Sequence, residues 1–191
     1  MQLAIHAPFG TRINRAWGLA LRKRFCRSYD FELQASAGDN GIVLSIGPQH
    51  SFATDSLFSV LRPDNGEGLL VQALLTVPMF LVRWRWNVTR ALAVLRQKGG
   101  KKVPPPLQRF RGDDLLAAAF PRLTGCQENQ VGEIPVPDHP MVRQTIHDCL
   151  TEAMDVDGFL EVLRDLRAGR IERLAVDTVE PSPFARGILA A

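Results

Sequence analysis

Between Arg83 and Arg111 the chain carries nine cations (Arg83, Arg85, Arg90, Arg96, Lys98, Lys101, Lys102, Arg109 and Arg111) and no Asp or Glu. Trp84 and Trp86 alternate with Arg83, Arg85 and Asn87 at the start of this stretch. Cations neutralise phosphates, and indole or guanidinium faces stack on unpaired bases, each stack contributing about 1–3 kcal/mol. Interleaved cations and aromatics therefore suit a single-stranded or irregular nucleic acid better than readout of base edges in a duplex groove. A helical reading separates the two indoles. Trp84 joins Val88, Ala91, Leu92 and Leu95 on one apolar face and reads as core, whereas Trp86 falls off that stripe, open to a core or a stacking role. Gly99-Gly100-Lys101-Lys102 reads as a mobile loop whose adjacent lysines suit phosphate contact. A second basic element, Arg12 to Arg27, holds six cations and no acid. A solvated face, a surface docked on another domain and direct nucleic-acid contact are equal readings of it. The candidate contact residues are thus Arg83, Arg85, Trp86, Asn87, Arg90, Lys98, Lys101, Lys102, Arg109 and Arg111, with Arg12 and Arg15.

Other chemistry is excluded by spacing. The sequence has no Gly-x-x-x-x-Gly-Lys-Ser/Thr loop, no Asp-Glu-x-His and no Gly-x-Gly-x-x-Gly, so ATP binding and hydrolysis are not expected of this chain. His147-Asp148-Cys149 is a cluster in sequence only. Residues one and two apart on a helix point in different directions, and Cys149 falls on an apolar stripe. The four histidines lack the spacing and cysteine partners of a zinc site, and no metal is expected. Asp113-Asp114 sits at a helix start and Asp155/Asp157 lies between two helices, where structural roles suffice.

The elements that must position these residues belong to an α+β chain: a small, mainly antiparallel sheet covered by several helices. Its strands are an N-terminal one at Leu3–Ala7, a hairpin of 29–35 and 42–46 turning through Gly38-Asp39-Asn40-Gly41, and a C-terminal one at Ile171–Val179. Helices are expected at Arg12–Arg27, from Asp55 to Leu61 with Pro63-Asp64-Asn65-Gly66 closing it, and at Leu69–Leu75 and Met79–Leu95. Further ones follow at Leu107–Phe120, after an N-cap at Asp138, and at Asp157–Ala168. Gln97 to Pro106 reads as an extended loop.

The chain of 191 residues is 46% hydrophobic and 23% charged, ordinary values for a globular protein, and long enough to fold without disulfides. It is read as one domain over 1–191, with a basic part and an acidic part. Residues 1–112 hold 16 Lys/Arg and 6 Asp/Glu, a formal +10, and residues 113–191 hold 7 and 14, a formal −7. Three scattered cysteines, no signal peptide and no span-length apolar segment give a cytoplasmic expectation with no membrane partner.

HAPFGTRINRAWGLALRKRF, IGPQHSF, VPMFLVRWRWNVTRALAVLR, GGKKVPPPLQRFRGDDLLAAAFP, CQEN, DHPMVRQTIHDCLTEAMD and EPSPFA occur in that order. Together they resemble the DEAD/DEAH-box-associated region of large helicase-related (Lhr-type) proteins, from about His6 to Ala190. The resemblance implies an accessory domain of an ATP-dependent helicase that moves 3′ to 5′ on single-stranded DNA, unwinds DNA or RNA–DNA hybrids and serves DNA repair. It implies partners too: two RecA-like motor domains and a winged-helix domain, which this chain lacks, and the tracking strand that this region helps them enclose. ATP and Mg belong to those motor domains, so no cofactor is expected here. The alternative is a scaffold that docks on the motor with little nucleic-acid affinity of its own.

Overall fold

The computed structural model describes residues 2–29, 33–45, 47, 54–124 and 132–189. They form two compact units. One combines residues 1–73 with 150–191, and the other is the continuous stretch 74–149.

In the first unit, β1 (Gln2–His6), β2 (Gln34–Gly38) and β3 (Gly41–Ser45) form an antiparallel sheet in the order β1-β3-β2. Leu44 of β3 pairs with Leu3 on one side and Ala35 on the other. Ile42, Val43 and Leu44 are buried in succession, because β3 packs against both α1 (Thr11–Tyr29) and α7 (Pro183–Leu189). A strand covered on both faces needs a continuous apolar run rather than alternation. The expected stripe of α1 is present, with Trp17, Leu21 and Phe25 buried. Gly18 lets the helix approach the sheet, since a Cβ there would lie 3.2 Å from Ile42 Cγ2. No acid occupies the first turn of α1. Asp39 from the β2–β3 turn supplies one, accepting the Thr11 backbone N–H at 3.1 Å and its hydroxyl. Those two hydrogen bonds, the hydroxyl's first, hold the Asp39 carboxyl below the usual Asp range. Asn14, fully buried, donates its amide to the carbonyls of Ala7 and Gly38 at 2.6 and 2.8 Å, tying the loop after β1 to the same turn.

The first unit is completed by a 3-10 helix over Thr54–Ser59, by α2 (Pro63–Leu74, ending at the unit boundary) and by α6 (Val156–Arg167). Asp155 caps α6, accepting from Gly158 N–H at 3.0 Å. His6 of β1 and Ser182, just before α7, meet through Nε2 and Oγ at 2.9 Å.

The second unit contains α3 (Pro78–Arg90), a short hairpin of β4 (Gln97–Lys98) and β5 (Lys101–Lys102), α4 (Pro105–Ala119) and α5 (Pro140–Asp148). Its core gathers Phe80, Trp84, Val88, Val94, Leu116 and Val142. α5 runs on into a π-helical turn over Cys149–Ala153. This unit holds eleven Lys/Arg and six Asp/Glu, a formal +5 against −2 for the rest of the chain. The positive charge therefore belongs to residues 74–149, and the division at residue 112 falls inside α4.

The α+β class and the small antiparallel sheet are as the sequence predicts, with four corrections. Tyr29 ends α1 instead of opening a strand, and β2 begins at Gln34; residues 30–32 and Ile46 lie outside the described residues. Residues 171–179 form no strand. Leu174, Val176 and Val179 are exposed there, so the alternation buries no apolar face. Pro63-Asp64-Asn65-Gly66 opens α2 rather than closing a helix, as Pro at the first position and Asp in the first turn favour. The cap of α5 is His139, whose Nδ1 accepts Met141 N–H at 3.2 Å, while Asp138 pairs with Arg143. Among the described residues no single helix is long and apolar enough to cross a membrane.

Candidate nucleic-acid interface

The WRWN segment of α3 is split between interior and surface by helical geometry. Trp84 is buried and donates its indole N–H to the carbonyl of Gly112 at 2.7 Å, its ring meeting Phe120 edge-on at 6.0 Å. Gly112 is where α4 crosses α3 closely: an added Cβ would lie 3.4 Å from Val88. Arg85 forms two hydrogen bonds with the neighbouring Asp113, at 2.7 and 2.6 Å. Hydrogen bonding to Asp113, against a smaller effect of burial, raises the Arg85 guanidinium above even its usual basicity. Asn87 turns inward, 5% exposed, and donates to Asp148 at 2.8 Å and Thr145 at 3.2 Å. It is therefore corrected from candidate contact to structural tie, because a side chain three residues after Trp84 and one before Val88 shares their buried side of α3.

Trp86 points the other way and is 50% exposed. It lines a groove of about 560 Å³ with Val82, Arg85, Thr89 and Arg90 of α3. Arg96, Pro105, Gln108 and Arg109 form the facing wall. Among the described residues no carboxylate lines it. Arg83 lies outside the groove with its guanidinium carbon 5.0 Å from the Trp86 ring centre, a cation–π contact that steadies the indole.

The mobile loop expected at Gly99-Gly100 is instead a two-residue hairpin turn. Both glycines have positive φ, +59° and +75°, the conformation that a tight hairpin turn demands. Lys98 and Lys101 stand directly opposite each other, and Lys102 faces Gln97. All three lysines are exposed. The hairpin base is fixed where Val103 N–H donates to the Arg96 carbonyl at 2.9 Å and Gln108 Nε2 donates to the Val103 carbonyl at 2.7 Å. The same two contacts seat Arg96 and Gln108 in the groove wall.

Of the predicted residues, the structure brings Arg85, Trp86, Arg90 and Arg109 together in the groove, with Arg83 behind the indole and Lys98, Lys101 and Lys102 on the hairpin joined to it. Arg111 is half-buried on α4 and does not line it. Arg12 and Arg15 belong to the other unit. There they bind chain carbonyls: Arg12 those of Thr151 and Met154, the latter at 2.9 Å, and Arg15 that of Ala153 at 3.2 Å. The sequence reading left out Arg96, Thr89 and Gln108. Thr89, three residues after Trp86, was legible from helical spacing; the other two depend on the hairpin fold. Cys149 is buried, its Sγ 4.0 Å from the Met79 carbonyl oxygen.

The model of the DEAD/H associated family matches residues 1–185. The chain belongs to that family. It is 28% identical over 188 residues to an ATP-dependent helicase Lhr-Core of Methanothermobacter thermautotrophicus, covering 98% of this chain and 20% of that protein. Against an Lhr helicase/uracil glycosylase of Escherichia coli the identity is 26%, covering 98% of this chain and 11% of the relative. Among solved structures it matches the Mycobacterium smegmatis helicase Lhr bound to single-stranded DNA and AMP-PNP, with a TM-score of 0.78 and 27% identity. That match covers 98% of this chain and 22% of the other. This DEAD/H associated chain thus spans a tenth to a fifth of the curated relatives it matches.

Proposed function

We propose that this chain is a nucleic-acid-contacting accessory region of an Lhr-type, ATP-dependent 3′–5′ helicase, holding the single strand on which the motor tracks. The observation that carries this is the α3–α4 groove, where a half-exposed indole sits among guanidinium groups with no carboxylate among the described lining residues. Arg90, Arg96 and Arg109 take part in no ion pair among the described residues, so their charge is open to phosphate. The solved relative bound to single-stranded DNA supports the reading. The RecA-like motor domains of such a helicase would handle ATP and Mg, and this chain would add grip rather than chemistry. Unwinding of DNA or RNA–DNA hybrids and a place in DNA repair belong to the same family reading, and a cytoplasmic setting accords with the three scattered cysteines.

Anisotropy of a fluorescent single strand across a salt series tests it. Six cations, Arg90, Arg96 and Arg109 with the three hairpin lysines, predict a log–log slope of about −4 at about −0.7 per phosphate. Replacing the three arginines by Gln is expected to flatten that slope by about 2. A folded chain that binds nothing at low salt overturns the reading. It would leave the second one: a surface that docks on the motor, favoured by Leu107 and Phe110 of α4, exposed at 48% and 64%.

A further inference from the structure

The α3–α4 groove has more definition than a basic surface requires. Arg83 backs one face of the Trp86 indole without entering the groove, while the indole itself is part of the groove lining. The indole thus carries a cation over its ring while also lining the groove. A guanidinium behind the ring fixes its orientation before any ligand arrives, which reduces the ordering that binding must supply. The groove's volume of about 560 Å³ lies within the range of sites for single small molecules. Arg85 is neutralised by Asp113 and serves as wall, whereas Arg90, Arg96 and Arg109 present open charge around the same space. Gln108 spends its amide N–H on the Val103 carbonyl and Thr89 its hydroxyl on the Arg85 carbonyl at 2.7 Å, so the neutral lining is itself held in place.

We propose that this groove takes one unpaired nucleobase, stacked on the open face of Trp86, with its flanking phosphates on Arg90, Arg96 and Arg109. The strand then leaves along the β4–β5 hairpin. Lys98 and Lys101 face each other there as a like-charge pair that an intervening phosphate would relieve, and neither glycine of the turn has any atom within 4 Å of a Cβ position. The proposal rests on the nucleic-acid reading above and adds a base-dependent step to it.

The test compares two ligands, a single strand with bases and an abasic strand of equal length and charge, on the whole chain and its Trp86→Ala variant. Trp86 is half-exposed, so its removal should leave the fold intact, and a circular dichroism spectrum checks this. The wild type is expected to bind the base-bearing strand roughly 5- to 150-fold more tightly than the abasic one. Trp86→Ala should lose that advantage and leave abasic binding unchanged. Equal loss on both strands, or no loss on either, would overturn the stacking site while salt-dependent binding kept the nucleic-acid reading alive. Absence of wild-type binding to either strand at low salt would overturn both.

Discussion

Removing the Asn87 side chain should unfold the second unit more readily and leave nucleic-acid affinity alone. Asn87 donates to Asp148 at 2.8 Å, and Gln144 donates to the other Asp148 oxygen at 2.7 Å. Both Asn87 and Asp148 are nearly inaccessible to water. Asn87→Ala thus removes one of the two side-chain donors to a buried carboxylate. A hydrogen bond to a charged group contributes about 1.5–3 kcal/mol, and the small void adds to that, so a loss of about 2–3 kcal/mol is expected. With a urea dependence of about 1–3 kcal/mol per molar, the midpoint should fall by about 0.7–3 M, followed by circular dichroism. In an Asp148→Ala background the same change should cost at least about 1.5 kcal/mol less, since the partner is gone. An unchanged midpoint together with weakened strand binding would refute the reasoning and return Asn87 to the surface.

Three further outcomes follow from other elements. Arg12→Ala should lower stability by about 1 kcal/mol, discounted for its exposure, without altering the salt slope of strand binding, because Arg12 is engaged with the Thr151 and Met154 carbonyls. Leu92 holds a left-handed φ of 59° with its side chain exposed, where Ala93 N–H bonds the Val88 carbonyl at the end of α3. Leu92→Gly should relieve about 1–2 kcal/mol of strain against about 0.5–1 kcal/mol of added chain entropy, a small net rise in the urea midpoint. Asp39, its pKa depressed by Thr11, contributes stability that is complete above the ordinary Asp range and is lost as pH falls through the depressed value. The difference between wild type and Asp39→Asn in urea midpoint should therefore be present at pH 7 and vanish in strong acid.

Much of this was legible because the signals were local. The four-residue recurrence of Trp17, Leu21 and Phe25 and the inward and outward division of Trp84 and Trp86 depend only on helical period. What escaped the sequence was non-local. Alternation at residues 171–179 reports two faces but cannot say whether a strand edge awaits them. Two glycines in succession signal a turn, yet only positive φ at both, closed by the Arg96–Val103 bond, makes them a hairpin that carries Arg96 to the groove. α7 had a local signal that went unread, since Ser182 and Pro183 are a cap and a first-turn proline, with Ala185 N–H donating to Ser182 Oγ at 3.2 Å. Asn87 looked like a ligand because its partner, Asp148, lies sixty-one residues away.

The first unit is built from both ends of the chain, its sheet covered by a helix that follows the whole of the second unit. During synthesis, then, the order of completion is inverted: residues 74–149 close on themselves before the segment made first can finish. About 140 residues separate β3 from α7, which at about 5–20 residues per second leaves the outer face of the sheet bare for about 7–28 s. Ile42, Val43 and Leu44 spend that interval partly uncovered, a window in which a chaperone or another nascent chain competes with α7 for the same strand.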